Sequence, residues 1–443
     1  MKALKVILII CVVLAVIAGA GLFMLTRFLE RPEFRQKLVG LASQATGTAV
    51  EITDLKVSIF SGIELQGVAI GNPGGFTGNL LTAKAFTLRY RLWPLLQKRV
   101  KVATVVLDSP VITLAKNAKG EWNYDKIGSK TEKVKSTGPA AAPSTSAGGL
   151  DISLQNIEMK NATVVMVKDD GKELLRVKGA SFASAINLAG GQMSGTGNAR
   201  LELVNAANSL ILRNIATPVE LTPAAVKLAP LTGTLAGGDI TGDAGLSLAG
   251  DAKYTVNLHV KNADVVTLIK EAGVAQQVFS GGKLQMKAAL TGTGGLETIN
   301  GAGNAEVVGG QLVNIPLLNL VATLLQVPAL QDLKFDEIKL EYTIANNVMQ
   351  TPVIRLKSPQ VQITGKGTVA LTDYALDHTF TLTLAAGVLD HAPKEIRQEF
   401  TAVTNGAYAI DFKVWGPYDA PKTDLQKRLL KGVADQLLKK FLK

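Results

Sequence analysis

Cysteine is nearly missing from this chain: Cys11 alone in 443 residues, inside an apolar run near the N-terminus. The rest has no thiol, which excludes a disulfide framework and a cysteine metal site. Histidine is almost as scarce. His259, His378 and His391 are the three, and no two share a metal-ligand spacing. Asp377 and Asp390 precede His378 and His391, but neighbours on a strand face opposite sides. These histidines therefore read as solvated turn or strand-end residues. Charged residues make up 19%, where about 25% is usual, and aromatics 5%. The formal charge is +11, yet the cations are spread out rather than interleaved with aromatics, which argues against nucleic acid and for a membrane surface. No His-Glu-x-x-His pattern, phosphate loop or Gly-x-Ser-x-Gly elbow occurs, and Gly292-Thr293-Gly294-Gly295 does not fit the dinucleotide fingerprint. The expectation is a protein without cofactor or metal that is not an enzyme.

What the chain does have begins with an uncharged apolar run of 20 residues, Val6–Leu25, about the length of a bilayer-spanning helix. Val6, Leu8, Ile9, Val12, Leu14, Ile17, Leu22, Phe23 and Leu25 form it. Ala18-Gly19-Ala20 offers a signal-peptide cleavage site, but Leu22–Leu25 carries the run past that point, and a retained single-pass anchor over residues 1–26 is the preferred reading. Lys2 and Lys5 precede the span, while Arg27, Arg31, Arg35 and Lys37 follow it. The flanking charges thus do not favour an outside body, although long domains translocate largely regardless of charge.

Beyond the anchor, Glu30–Ala45 reads as an amphipathic helix with Phe34, Leu38 and Leu41 on one face and Gly47 as its stop. The period then changes to two. Ile63-Glu64-Leu65-Gln66, Phe86-Thr87-Leu88-Arg89-Tyr90 and Val361-Gln362-Ile363-Thr364 alternate, which means one wet and one apolar face. Val164–Val167 is an unbroken run that suits a strand buried on both faces. Asp169-Asp170-Gly171 reads as a hairpin turn, and the many Gly pairs as turns or bulges. A Lys-, Ser-, Thr-, Pro- and Ala-rich segment, Gly128–Gly149, reads as a flexible linker or a long loop. It separates a module over 27–128 from one over 150–422, with 129–149 between them. Helical patterns recur at Ala263–Phe279, at Pro393–Val403 and at the almost wholly apolar Pro316–Val327, which reads as a buried plug or, more sharply, as a helix gating an apolar cavity.

The last segment, 423–443, reads as a basic amphipathic helix. Leu425, Leu429, Val433, Leu437 and Phe441 form its stripe, and Lys427, Lys431, Lys439 and Lys440 flank it. Such a helix lies on an anionic membrane or docks on a sheet as a cap. We expect docking through the stripe, with the basic face near anionic lipid or an acidic partner.

Several of these blocks together resemble a known family. They are Ala45–Ile52, Ile63–Pro73, Leu92-Trp93-Pro94-Leu95-Leu96, the strand Ala103–Leu107, Lys119-Gly120-Glu121-Trp122-Asn123-Tyr124, and, further on, Thr232–Gly238, Gly301–Val313 and Ile363–Gly367. In this order they are similar to the AsmA family of Gram-negative envelope proteins. The resemblance implies an inner-membrane anchor with the bulk in the periplasm. It also implies a long curved sheet whose apolar groove carries phospholipid between inner and outer membranes, as in bridge-like lipid transfer. It brings no catalytic residues. This chain departs from the pattern in being short and in carrying the Gly128–Gly149 insertion.

The expected fold is β-rich (α+β): a transmembrane helix, then a long curved sheet of antiparallel type forming an apolar groove, with a few short helices and a C-terminal amphipathic helix. The expected partners are the membrane, phospholipid and envelope proteins, with no nucleic acid. The alternative function is a scaffold or assembly factor for outer-membrane biogenesis, with a closed core and no lipid cargo. The fate of the apolar face separates the two.

Overall fold

The structure is a computed structural model that describes residues 32–58, 62–90, 102–127, 156–189, 192–206, 208–248, 252–274, 278–293, 298–325, 327, 330–390 and 392–429. The expected anchor over 1–26, the Leu92–Leu96 block, the segment 129–149 and His391 lie outside these residues. Among the described residues no helix is long and apolar enough to cross a membrane. The chain is strongly β-rich with few, short helices, as its alternation predicts. It forms two compact units, Met1–Gly233 with Gly245–Ala252, and Thr234–Ala244 with Lys253–Lys443.

In the first unit, helix α1 (Pro32–Thr46) leads into β1 (Val50–Ser58), β2 (Gly62–Gly71), β3 (Asn79–Tyr90), β4 (Val102–Asp108) and β5 (Val111–Ala115). Then follow β6 (Asn156–Val167), β7 (Glu173–Ala189), β8 (Gln192–Ala206) and β9 (Leu210–Leu221). β10 (Ala225–Leu235) and β11 (Gly238–Ser247) each contribute residues to both units. β1, β2 and β3 pair antiparallel in sequence order. β4 and β5 form one broken line beside β3, and β6 runs parallel to both. A parallel step needs a crossover, and residues 116–155 make it, so strands from both sides of 129–149 share this unit. At the break, Ser109 and the facing Asn161 both take positive φ, 49° and 50°. Ser109 N–H bonds Lys160 O at 2.8 Å and Thr163 N–H bonds Pro110 O at 2.8 Å. Two matched bulges thus bend the pair and return it to register.

Alternation sends Ile63, Val68, Ile70, Leu81, Phe86, Leu88, Val105, Leu107 and Ile112 to one side, where all are buried. Helix α1 covers this core with Ala42 and the partly buried Val39. Its expected face needs correction: Leu38 is buried, but Leu41 is 50% exposed, because Val39 and Ala42 take the contact. Gly47, at φ 72°, donates its N–H to Ser43 O and ends the helix as the sequence predicts. The Asp169-Asp170-Gly171 turn also forms: Gly171 N–H bonds Lys168 O at 3.0 Å, and Lys172 N–H bonds Asp170 Oδ1 at 2.9 Å. The run Val164–Val167 is buried only at Val165; its neighbours are half-buried.

The second unit continues with β12 (Lys253–Asp264), α2 (Val265–Glu271), β13 (Phe279–Ser280), β14 (Lys283–Thr293), β15 (Asn300–Val308), β16 (Gln311–Leu312), α3 (Pro316–Leu325) and β17 (Leu333–Lys334). β18 (Glu337–Ala345), β19 (Val348–Lys357), β20 (Val361–Ala370), β21 (Ala375–Leu384), α4 (Lys394–Arg397), β22 (Thr401–Ala402), β23 (Tyr408–Pro417) and β24 (Lys422–Thr423) follow, then one helical turn over 425–429. The order β12-β14-β15-β18-β19-β20-β21-β23 is antiparallel throughout, and β13, β16 and β17 make a separate small sheet. Two expected helices are shorter than their patterns. Ala263 and Asp264 stay in β12, and Asp264 caps α2 by accepting the Thr267 N–H at 2.8 Å. Pro393–Val403 reduces to α4 because Thr401 and Ala402 pair with β23.

Candidate functional site

The register of the second unit lays its inward side chains in rows across the strands. One row runs Leu284, Val307, Ile338, Leu356, Ile363, Leu382 and Ile410. A second layer covers most of it. Leu318, Val321 and Ala322 of α3, Leu389, Ile396, Phe400, Leu425 and Leu429 pack with Leu356, Leu382, Leu384 and Ile410 in one buried cluster. The apolar α3 is thus a plug, as its composition predicts.

Six residues along the strands lies another row: Val256, Leu290, Gly301, Ile344, Met349, Val369 and Leu376. Its large side chains are half-buried. Between the rows, Leu258, Leu340 and Ile354 are half-buried too. At about 3.3 Å per residue the two rows are roughly 20 Å apart. A single sheet face therefore passes from a closed core to an apolar surface that water still reaches.

Glycine shapes this face, and here the turn reading of Gly292 is corrected. Gly292, Gly301, Gly303, Gly365 and Gly367 sit inside strands on the inward alternation. A Cβ at Gly292 would strike the Tyr254 ring, at Gly303 the Tyr342 ring, and at Gly365 the Phe380 ring. Each aromatic ring thus occupies the space that the glycine of the next strand leaves open. The burial reading of His378 is corrected as well. It lies in mid-β21, 6% exposed, beside Thr351 at 2%. Thr351 Oγ1 donates to Gly367 O at 3.1 Å and so accepts from His378 Nε2 at 2.9 Å. The imidazole stacks on Phe380. Burial holds it below the ordinary histidine value, with the Asp377 charge opposing. His259 faces the opposite side, next to Lys287.

The outer edge of β23 is closed along its length. β22 pairs Ala409 and Tyr408, and β24 pairs Val414 and Trp415. Between them Lys413 N–H donates to Asp424 Oδ1 at 2.8 Å, and Arg428 Nη1 donates to Asp411 O at 2.7 Å. Of the expected C-terminal stripe, Leu425 and Leu429 are buried in the plug cluster and Lys427 is exposed. Val433, Leu437, Phe441, Lys431, Lys439 and Lys440 lie outside the described residues, as do all the expected anchor residues.

In the first unit the Lys119–Tyr124 block has a structural task. Asn123, fully buried, donates from Nδ2 to Thr113 O and to Asn72 Oδ1, both at 2.7 Å, and accepts the Ala115 N–H at 3.0 Å. It ties β5 to the β2–β3 connection. Trp122 stacks on Tyr124, whose phenol is pushed up to about 12 by burial and then by the Asp125 charge.

Two shallow hollows open on the strands of the second unit. One, of about 340 Å³, takes in Asn257, Leu258, His259, Lys287, Ala288 and Gly303. The other, of about 410 Å³, is mostly polar, with Lys253, Thr291, Thr293, Asn300, Asn346 and Asn347. Neither gathers acids, bases and a nucleophile. Among the described residues no group of three His, Cys, Asp or Glu side chains could hold a metal ion. Sequence reasoning missed the His378–Thr351 pair, the glycine–aromatic pairs and the Asp424–Arg428 clasp. The Gly-x-Gly spacing inside alternating segments was the available signal for the second of these.

Compared with known families, residues 1–200 match the model of the AsmA family. No curated protein and no solved structure matches the chain.

Proposed function

We propose, for a chain that belongs to the AsmA family through its residues 1–200, that its half-buried apolar sheet face holds the acyl chains of phospholipid moving between inner and outer membranes. The supporting observation is the row from Val256 to Leu376, apolar yet reached by water. Each methylene taken from water onto such a face contributes about 0.8 kcal/mol, while a headgroup can stay hydrated at the open side. A family of the cell envelope and a large β-sheet fit this role. The reading includes an inner-membrane anchor over 1–26, the bulk in the periplasm, envelope proteins as further partners, and no enzymatic activity, cofactor or nucleic acid.

Purification in mild detergent followed by mass spectrometry tests it. Phospholipid should accompany the parent chain at a defined molar ratio. Ile344→Asp with Val369→Asp should release it while the circular dichroism spectrum is kept. Equal phospholipid on the parent and the double variant would sink the proposal. Topology has its own test: alkaline phosphatase fused after Lys443 should be active, and an inactive fusion paired with an active cytoplasmic reporter would reverse the orientation.

The plugged row favours a second reading, a scaffold or assembly factor for outer-membrane biogenesis with a closed core and no lipid cargo. On that reading no phospholipid co-purifies above the level of an unrelated single-span protein.

A further inference from the structure

We infer that Asn405 is a site of spontaneous covalent modification, and that its conversion to an isoaspartyl linkage loosens β22 from the outer edge of the sheet. The inference holds for a lipid carrier and for a scaffold alike.

The sequence holds two Asn-Gly pairs, Asn300-Gly301 and Asn405-Gly406. A glycine after an asparagine has no Cβ to shield its backbone nitrogen, which can therefore reach the side-chain amide carbon. The fold treats the two pairs in opposite ways. Asn300 opens β15, and Gly301 lies in the ladder between Leu290 and Ile344. Asn300 Nδ2 donates to Thr298 O at 2.9 Å. Strand pairing thus holds the nitrogen, and the hydrogen bond holds the amide it would attack.

Asn405 sits in the turn between β22 and β23, where residues 401–406 are all exposed. Among the described residues its side chain has no hydrogen-bond partner. Its backbone, at φ 60° and ψ 30°, interrupts the short helical turn Thr404–Gly406. Val403 N–H bonds Ala407 O at 2.9 Å, but Ala407 N–H reaches Thr404 O only at 3.4 Å. β22 itself pairs through two residues, Thr401 with Ala409 and Ala402 with Tyr408. An exposed segment with so few bonds opens at little cost, so Asn405 can rotate until its amide carbon meets the Gly406 nitrogen.

The reaction needs no partner but water. The Gly406 nitrogen, having given its proton to base, bonds to Asn405 Cγ. The Cγ–Nδ2 bond breaks, and Nδ2 leaves as ammonia after taking up a proton from solvent. The cyclic imide that remains is opened by water. Cleavage between nitrogen and Cγ gives aspartate. Cleavage between nitrogen and the main-chain carbonyl carbon gives isoaspartate, in which the chain runs through Cβ and Cγ and gains a methylene. That extra length falls inside the turn that sets β22 against β23. Releasing β22 uncovers the backbone at Tyr408 and Ala409, and an uncovered strand edge is a template for pairing.

The test ages the full chain in mild detergent at acidic and at mildly alkaline pH and follows both asparagines by peptide mass spectrometry. Asn405 should convert, faster at alkaline pH, and at least about tenfold faster than Asn300, because the sheet must open before Gly301 can react. In urea the two should convert at similar rates, since each is followed by glycine. Hydrogen exchange at Tyr408 and Ala409 should rise in the aged chain. Freshly prepared Asn405→Asp, which carries the charge without the extra methylene, should exchange like the fresh parent. An unchanged Asn405, a folded Asn300 that converts as fast, a difference between the two that persists in urea, or an aged chain whose exchange matches the fresh parent would each overturn the inference. So would an Asn405→Asp variant that exchanges like the aged chain.

Discussion

The two ends of the sheet from β12 to β23 are built from the same strands with the same alternation, and they differ in what lies over them. At one end Leu356, Leu382, Leu384 and Ile410 are sealed by α3, α4 and the turn over 425–429. At the other, Ile344, Met349, Val369 and Leu376 keep contact with water. Strand pairing is therefore not what distinguishes a core from a binding surface here. The second layer is, and it is short: ten residues of α3 and a few turns.

The comparison can be broken most forcefully at Leu384, which is wholly buried. Leu384→Ala should cost about 3 kcal/mol in urea unfolding, whereas Ile344→Ala should cost about 1 kcal/mol because no tight cavity is left behind. Equal losses would mean that both ends are packed alike. The first unit supplies a polar counterpart to the plug. Asn123→Ala should cost about 1–2 kcal/mol, since it strands the half-buried Ala115 N–H and Thr113 carbonyl; hydrogen exchange should rise first at β5. The floor itself is tested at Gly365→Val, where the added methyls must displace the Phe380 ring. A loss of about 2 kcal/mol is expected from overpacking, together with a change in near-ultraviolet circular dichroism.

A smaller effect sharpens the same comparison through pH. His378 sits where the closed core gives way to the open row. Its folded-state affinity for protons is below the ordinary 6.5, so the unfolded chain binds more protons as pH falls through that value, and stability must rise with pH. The parent should lose stability between neutral pH and the depressed folded value, then level off. His378→Gln should remove that part of the slope, and an unchanged slope would mean the imidazole is not held neutral by the fold. The smallest expected energetic effect is at the edge clasp. Asp424→Ala with Arg428→Ala removes two hydrogen bonds to the β23 backbone and the exposed Arg428–Glu399 ion pair at 3.2 Å, and should cost about 1 kcal/mol. It should nevertheless raise self-association in sedimentation, because an uncovered strand edge is a template for pairing.

Much of this was legible in the residues. The short helix before β1 and its Gly47 stop, the hairpin at Asp170-Gly171 and the plug character of Pro316–Val327 all follow from local periodicity and turn chemistry. The contact face of α1 was not legible, because Leu41 and Ala42 differ by one position and only packing decides which of them meets the sheet. The place of His378 was equally hidden. An Asp-His pair reads as polar, yet the pairing of β20 with β21 puts His378 opposite Gly367, where the missing side chain makes room for a ring. Gly292 misled for a related reason, since glycine in sequence signals a turn as readily as a seat for a cross-strand aromatic.

The sequence by itself determined that this protein is β-rich, with one apolar and one wet side to most of its strands, because side chains on a strand must alternate whatever surrounds them. Its residues 1–200 also suffice for a match to the AsmA family model. Tertiary structure alone decided which part of the apolar side is core and which is surface. Alternation states that a residue faces inward, but whether anything packs there depends on helices and strands distant in the chain. Leu425 and Leu429 close over Leu384 and Ile410, while among the described residues no such layer buries Ile344 or Val369.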